Sequence, residues 1–369
     1  LSGFRTVIYD TNTYSLPGIK HIDAGQEIVL NANGLHSEKG MIEDMMKLMK
    51  RVPDYIIVVG SGTLMDFGRY SAYKLGIPFI AVPTLVSADG FTANICSIII
   101  DGQKRSIPMQ APDAVICDLN VVAGAPRFLT VAGVQDILAK YISIADWKIA
   151  HLVSGEYFCE RVCSMAQESL DLMVDCARKL AEGEEPDFEA MAYAQMLSGL
   201  TMQMLSHSRA ASGAEHLIAH LVEMKPRGFE NAHGIHGECV GVGTLICAEE
   251  YHELAKHGDI EVIPFKPLDE EWVRSIFGEL SDGVLDENKD DVLNTFDPSS
   301  IKAHWQDIRQ IISQIPSAKE LKELFTSIGA KYRLEDLGID GLSGRDVLSI
   351  SAAIRNRLTL CRMERLMSI

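Results

Sequence analysis

The chain has no CxxC pair, no apolar run of membrane-spanning length and no surplus of basic residues. Its eight cysteines are dispersed among apolar residues, and the closest two, Cys159 and Cys163, lie one helical turn apart. That usage argues against a zinc knuckle or a disulfide framework and for buried free thiols in a reducing compartment. With no apolar span and no recognisable signal peptide, membrane insertion is not expected and the cytoplasm is the expected location. A formal charge of −17 withholds the basic face that nucleic acid or an anionic membrane needs. A small anionic substrate stays open, since one pocket can be locally positive. Aromatics make up only 7%, yet apolar residues reach 47%, which suits a soluble globular protein with ample core. At 369 residues, two domains are the natural expectation. An initiator methionine is also missing. Leu1-Ser2-Gly3-Phe4 runs almost at once into a strand, so an element upstream of Leu1 is expected.

Up to about residue 125, short β-rich runs alternate with helical stretches. Candidate strands are Thr6 to Tyr9, Glu27 to Leu30, Tyr55 to Val59, Phe79 to Val82 and Ala114 to Cys117, with helices at Met41 to Lys50 and Leu64 to Leu75. This alternation predicts a Rossmann-like parallel sheet flanked by helices. Ser97 to Ile107, with Asp101-Gly102 at its middle, reads as a β-hairpin. After Pro126 the texture changes to long helical periods at Val131–Val153, Tyr157–Glu182, Phe188–Ser206, Ala214–Glu223 and Gly237–Lys256. The acidic stretch Glu279–Asp297 reads as a solvated connection or surface helix. The expected layout is an α/β nucleotide-binding domain over 1–126 and an all-α metal-binding domain over 127–369.

Strand Tyr55 to Val59 leads into Gly60-Ser61-Gly62-Thr63 and a helix carrying Asp66. Glycines let a backbone pass close to a diphosphate, and the helix start favours its negative charge. The full GxGxxG pattern is not met, because Met65 takes the place of the third glycine, so an ordinary tight turn competes with the phosphate site. Asp10 ends the first strand, where a carboxylate would accept ribose hydroxyls and repel a 2′-phosphate. Its plain alternative is a turn aspartate in Asp10-Thr11-Asn12. In Pro83 to Phe91, Thr84 and Ser87 are candidate cofactor contacts and Asp89 a candidate receiver of substrate hydroxyls; a polar loop capping the next helix is the competing reading.

Asp136, His216 and His236 stand in apolar helical surroundings and make a candidate three-ligand metal site with an open fourth position. His216 and His220 share a helix face, but HExxH is absent. Singly, each has a structural reading: Asp136 could pair with Lys140, and an isolated histidine is usually a core or surface residue.

Taken in order, these segments carry a resemblance. Gly60-Ser61-Gly62-Thr63-Leu64-Met65-Asp66, Pro83 to Phe91, Asp136 to Lys140, Asp146-Trp147, Ser208 to His216 and Ile235-His236-Gly237-Glu238 resemble the iron-containing alcohol dehydrogenase and dehydroquinate synthase superfamily, most closely its bacterial glycerol-1-phosphate dehydrogenases. The likeness runs from Asp10 to at least Thr244. It implies the dehydroquinate synthase-like fold, NAD(H) or NADP(H), a homodimer, and one divalent zinc or nickel ion held by Asp136, His216 and His236. It also implies a proton-relay role for His220. Gln135, where relatives often have glycine, and Ala210, where they often have proline, depart from the pattern. The implied reaction is reversible reduction of dihydroxyacetone phosphate to sn-glycerol 1-phosphate. Arg209, Arg127 and Lys140 are candidates for its phosphate, each with a surface salt bridge as the alternative. Oxidation of an unphosphorylated polyol, a dehydroquinate synthase-like lyase and a degenerate nucleotide binder are the competing readings.

Overall fold

The computed structural model describes residues 3–19 and 24–368, so Leu1 and Ser2 lie outside the described residues. Strands β1 (Arg5–Asp10), β2 (Gln26–Leu30), β3 (Tyr55–Gly60) and β4 (Phe79–Pro83) alternate with helices α1 (Lys39–Lys47) and α2 (Gly62–Leu75). The hairpin β5 (Ile95–Ile100) and β6 (Gln103–Pro108) follows, then β7 (Ala114–Val115) and α3 (Leu119–Ala123). Five strands pair in parallel in the order β2-β1-β3-β4-β7. β3 is apolar and buried throughout because its alternate residues serve both faces. Ile56 and Val58 pack with Leu64 and Phe67 of α2, while Tyr55, Ile57 and Val59 pack on the opposite side with Val7. Chain order runs outward in opposite directions from β1 and β3. Their carboxyl ends therefore bound the crevice where open α/β sheets take ligands. The hairpin turns as expected at Asp101 and Gly102, both at positive φ (51° and 74°), as a tight two-residue connection requires.

The rest is largely helical. α4 (Arg127–Leu138), α5 (Lys140–Ser154), α6 (Glu160–Ala181), α7 (Phe188–Leu205), α8 (Ala214–Met224) and α9 (His236–Leu254) precede shorter helices. α6 packs on α7, α8 on α9, and α4 on α9. The segment expected as one helix over Val131–Val153 divides at Ala139, where the Lys140 ammonium reaches back to the Asp136 carbonyl at 3.1 Å. Against the expectation of no membrane-spanning run, the 127–154 stretch is long and apolar enough to cross a membrane, but 83% of its most apolar window is buried in the core.

Two expectations need correction. The C-terminal part is not wholly helical, because Glu261–Val262 and Met367–Ser368 pair as antiparallel strands β8 and β9. The acidic stretch is not simply solvated either. Asp291 is buried, within 2.8 Å of both Arg362 and Arg365. Burial opposes its charge, but Arg362, the Leu293 amide and Arg365 together outweigh that and hold the carboxyl below its ordinary value.

α4 meets the loop after β4 at Gly133. A Cβ there would stand 1.7 Å from the Val86 carbonyl oxygen, which also accepts Gln195 Nε2 at 2.5 Å. Backbone lies against backbone, so nothing flexible can yield. Gly133→Ala is expected to cost more than about 2 kcal/mol of stability in denaturant unfolding. Wild-type stability in that variant would show that the loop does not depend on this contact.

Candidate metal centre and nucleotide cleft

Three helices converge. α4 supplies Asp136, α8 supplies His216 and His220, and α9 begins at His236. The α8 start is fixed from inside, since Glu215 Oε1 accepts the Gly213 amide (2.7 Å) and Asp146 Oδ2 accepts that of Ala214 (2.9 Å). Burial pushes the Asp146 carboxyl up to about 6, against the pull of Arg209. The α9 start is held by Glu238, whose Oε2 accepts the Ile235 amide at 3.1 Å and pairs with Lys331 at 2.8 Å. Gly237 allows the approach, because a Cβ there would lie 2.1 Å from the Ala132 carbonyl oxygen of α4.

Asp136 Oδ1 lies 3.6 Å from His216 Nε2 and 3.8 Å from His236 Nε2. One candidate ligand atom from each residue falls within 4.8 Å of the others. A tetrahedral ion with bonds of about 2.1 Å has ligand–ligand edges of roughly 3.4 Å, so the spacing fits with small adjustment. Asp136 is fully buried and its Oδ1 has no hydrogen-bond partner, while Oδ2 accepts the Asp89 amide at 3.1 Å. Each imidazole has its far nitrogen on a carboxylate: His216 Nδ1 lies 2.7 Å from Glu215 Oε1, and His236 Nδ1 lies 2.8 Å from Glu223 Oε1. Such contacts set the tautomer and turn the Nε2 lone pairs inward. Burial opposes charge on both Asp136 and His216. Their contact, joined by Lys140 and His236 at Asp136 and by Glu215 at His216, outweighs burial, holding the Asp136 carboxyl below its usual range and raising His216 to about 9. The pocket thus calls for positive charge beside a buried carboxylate.

His220 is buried one turn beyond His216, 6.0 Å from the His236 ring, and its Nδ1 has no hydrogen-bond partner. Burial holds its pKa well below the ordinary value against the pull of Glu223, with Arg355, His236 and Lys104 acting in the same direction as burial. Glu215 and Glu223 were missed in the sequence. His216, His220 and Glu223 are spaced four and three apart on one helix face, and that was the signal available.

The nucleotide loop is also assembled. The Thr84 amide bonds the Gly60 carbonyl at 3.1 Å, joining the ends of β3 and β4. Ser61 caps α2 without a side-chain bond, and a Cβ at Gly62 would meet nothing within 4 Å. Thr84 is buried with its Oγ1 unpartnered, while Thr63 and Ser87 stay partly exposed. Asp10 does sit at the carboxyl end of β1, but its Oδ1 accepts the Asn12 and Thr13 amides, as a turn aspartate would.

Several candidate roles are corrected. Asp66 is no cofactor contact, because its oxygens are taken by Arg69 (2.9 Å), Ser37 (3.0 Å) and the Ser97 amide. Asp89, by contrast, stays a candidate: it lies beside Asp136, and Lys140 Nζ (2.6 Å) and Ser198 Oγ (2.7 Å) hold its Oδ2. Lys140 is thereby spent, and buried, so it cannot receive phosphate. Arg209 is tied to Glu156 at 2.8 Å and to the Leu358 carbonyl. Arg127 is exposed at the α4 start, nine residues and about 13 Å along the helix from Asp136. Of the departures, Gln135 is buried with Nε2 on the Lys331 carbonyl (2.7 Å), beside Gly241, whose missing side chain makes room for it. Ala210 is buried near Trp147 and its carbonyl accepts Ser143 Oγ at 3.1 Å.

A parallel nucleotide-type sheet beside a buried Asp–His–His set fits a dinucleotide-dependent enzyme with a place for a metal ion. Comparison with known proteins narrows this. The family described as "Iron-containing alcohol dehydrogenase" matches residues 5–126. Glycerol-1-phosphate dehydrogenase [NAD(P)+] of Geobacillus stearothermophilus is 33% identical over 313 residues, covering 84% of this chain and 70% of that protein. The protein of the same name from Halalkalibacterium halodurans is 30% identical over 366 residues, covering 96% and 84%. Among solved structures, a probable glycerol dehydrogenase from Sinorhizobium meliloti 1021 shares the fold, with a TM-score of 0.56 at 19% identity over 95% and 90% of the two chains. The chain belongs to the glycerol-1-phosphate dehydrogenase family of the iron-containing alcohol dehydrogenase superfamily, as an NAD(P)-dependent dehydrogenase.

Chelator-stripped protein is expected to regain one divalent metal ion per chain and to melt higher, its unfolding free energy rising by about 2.7 kcal/mol at a hundredfold excess over Kd. His236→Ala and Asp136→Ala should keep the fold and lose both responses. Wild-type metal content in either variant would remove that residue from the ligand set.

Proposed function

We propose that the chain reversibly reduces dihydroxyacetone phosphate to sn-glycerol 1-phosphate with NADH or NADPH. The observation that carries this reading is the Asp136–His216–His236 set against the loop that follows β4, in a chain of this family. Asp136 Oδ1, His216 Nε2 and His236 Nε2 would hold a zinc or nickel ion, which when bound polarises the ketone oxygen and stabilises alkoxide charge. Gly60 to Thr63, with Thr84 and Ser87, would hold the reduced nicotinamide cofactor that supplies the hydride.

The remaining work falls to side chains of this protein. Glu215 and Glu223 keep both ligand imidazoles in the tautomer that offers Nε2. His220, one turn beyond His216, would relay a proton between solvent and the substrate oxygen, taking one up at one ring nitrogen as it releases one from the other, and running in the opposite sense for the reverse reaction. Asp89 is oriented by Lys140 and Ser198, which leaves Oδ1 to accept a substrate hydroxyl. Burial of α4 against α8 and α9 keeps bulk water from the reacting oxygen.

The test is loss of NADH absorbance by metal-loaded protein with dihydroxyacetone phosphate, run beside unphosphorylated dihydroxyacetone. Rapid oxidation with the phosphate ester alone is expected. Turnover of the unphosphorylated ketone alone would make this a polyol dehydrogenase. Silence with both, in protein that holds metal and cofactor, would contradict the substrate assignment.

A further inference from the structure

The phosphate of that substrate needs cationic donors, and none of the three expected from the sequence serves. The structure offers others. The non-helical segment Arg355-Asn356-Arg357 precedes helix Leu360–Met363. It is pinned through Asn356, whose Oδ1 accepts the Val292 amide (2.8 Å) and whose Nδ2 donates to the Asp290 carbonyl (2.7 Å). The arginines on either side engage different elements. Arg355 Nη2 donates to the Lys104 carbonyl in β6 at 2.8 Å. Arg357 donates to the Ser212 carbonyl (2.6 Å), Ser212 Oγ (3.2 Å) and Ser208 Oγ (2.9 Å), in the turn that leads into α8.

These contacts border the metal pocket. The Lys104 ammonium lies 3.0 Å from Glu223 Oε2, and Glu223 Oε1 holds His236. Ser212 stands four residues before His216 on the chain. Among the described residues, no carboxylate lies within ion-pair distance of either Arg355 or Arg357, although each is half-buried. Lowered pKa values agree. Burial is the main cause for both; Arg209 and Arg355 add repulsion at Arg357, bringing it down to about 10. Glu287, which accepts the Asn356 amide at 3.1 Å, attracts Arg355 from beyond ion-pair distance, as Glu156 and Glu215 attract Arg357. Two part-buried guanidinium groups thus stand without a direct ion pair and have donors left for an anion.

Resting on the reaction proposed above, we propose that Arg355 and Arg357 form the subsite that binds the substrate's phosphate group and selects phosphorylated over free ketones. A phosphate dianion accepts from both forks, and its charge balances the pair. The carbon skeleton then extends toward His220 and the metal ligands. The hydroxyl-rich anchors of Arg357 hold the guanidinium without neutralising it, which an acidic partner would do.

The test uses metal-loaded, full-length protein with Arg355→Gln, Arg357→Gln and Arg357→Lys. The ratio of kcat/KM for dihydroxyacetone phosphate to that for dihydroxyacetone is read with competition by inorganic phosphate. Each glutamine variant is expected to lower the ratio roughly ten- to a hundredfold, mainly through KM, and to weaken inhibition by phosphate. Arg357→Lys should fall between. An unchanged ratio, or a loss confined to NADPH relative to NADH, overturns the subsite. Among the described residues the Arg355 side chain makes one hydrogen bond, so Arg355→Gln keeps the test open if Arg357→Gln fails to fold. Should the wild type not reduce the phosphate ester, the reaction assignment fails by itself. Calorimetric binding of inorganic phosphate then still decides the subsite. Binding lost in Arg355→Gln supports it, and equal binding in wild type and variant contradicts it.

Discussion

A buried carboxylate oxygen without a partner organises this protein. Asp136 Oδ1 is sealed among helices, and an uncompensated charge in such a place costs several kcal/mol. Two imidazole nitrogens face it, and each imidazole is anchored on its far side by glutamate. That gives three carboxylates and two histidines within a few ångströms, an assembly that a divalent cation completes.

The surrounding architecture serves this centre. Glycines at 133 and 237 let the loop after β4 and the first turn of α9 reach the α4 backbone. Lys140 binds both the Asp136 carbonyl and Asp89, so one ammonium ties the metal helix to the loop that borders the nucleotide cleft. Breaking such a buried pair on one side leaves an unpaired charge and is costly, which makes the junction rigid. The β5–β6 hairpin extends the same logic, since Lys104 secures Glu223, which in turn orients His236. Cofactor cleft and metal pocket are therefore held in register by buried polar contacts as well as by apolar packing.

The sheet was legible because parallel strands buried on both faces read as apolar runs, and Asp101-Gly102 announced the hairpin turn. The metal set was legible because Asp136, His216 and His236 sit in short phrases that a family shares. Their supports were not. A glutamate beside a histidine looks like any surface helix pair, and only tertiary packing turns Glu215 and Glu223 toward the ligand rings. Burial misled in the opposite direction at Asp66 and Lys140, whose charges look available in a string of letters but are consumed in the fold. Asp291 was hidden by the acidic residues around it, since only the fold brings Arg362 and Arg365 to it. Arg355 and Arg357 lie more than a hundred residues beyond the last ligand, so no local pattern linked them to the site.

The most direct test of the account is anomalous diffraction from crystals of the protein loaded with zinc or nickel, recorded on both sides of the metal's absorption edge. One strong peak is expected, bonded to Asp136 Oδ1, His216 Nε2 and His236 Nε2 with a fourth position open. Absence of a peak there, or a peak only at thiols or surface carboxylates, would contradict the central claim that this buried carboxylate is built to hold a catalytic metal.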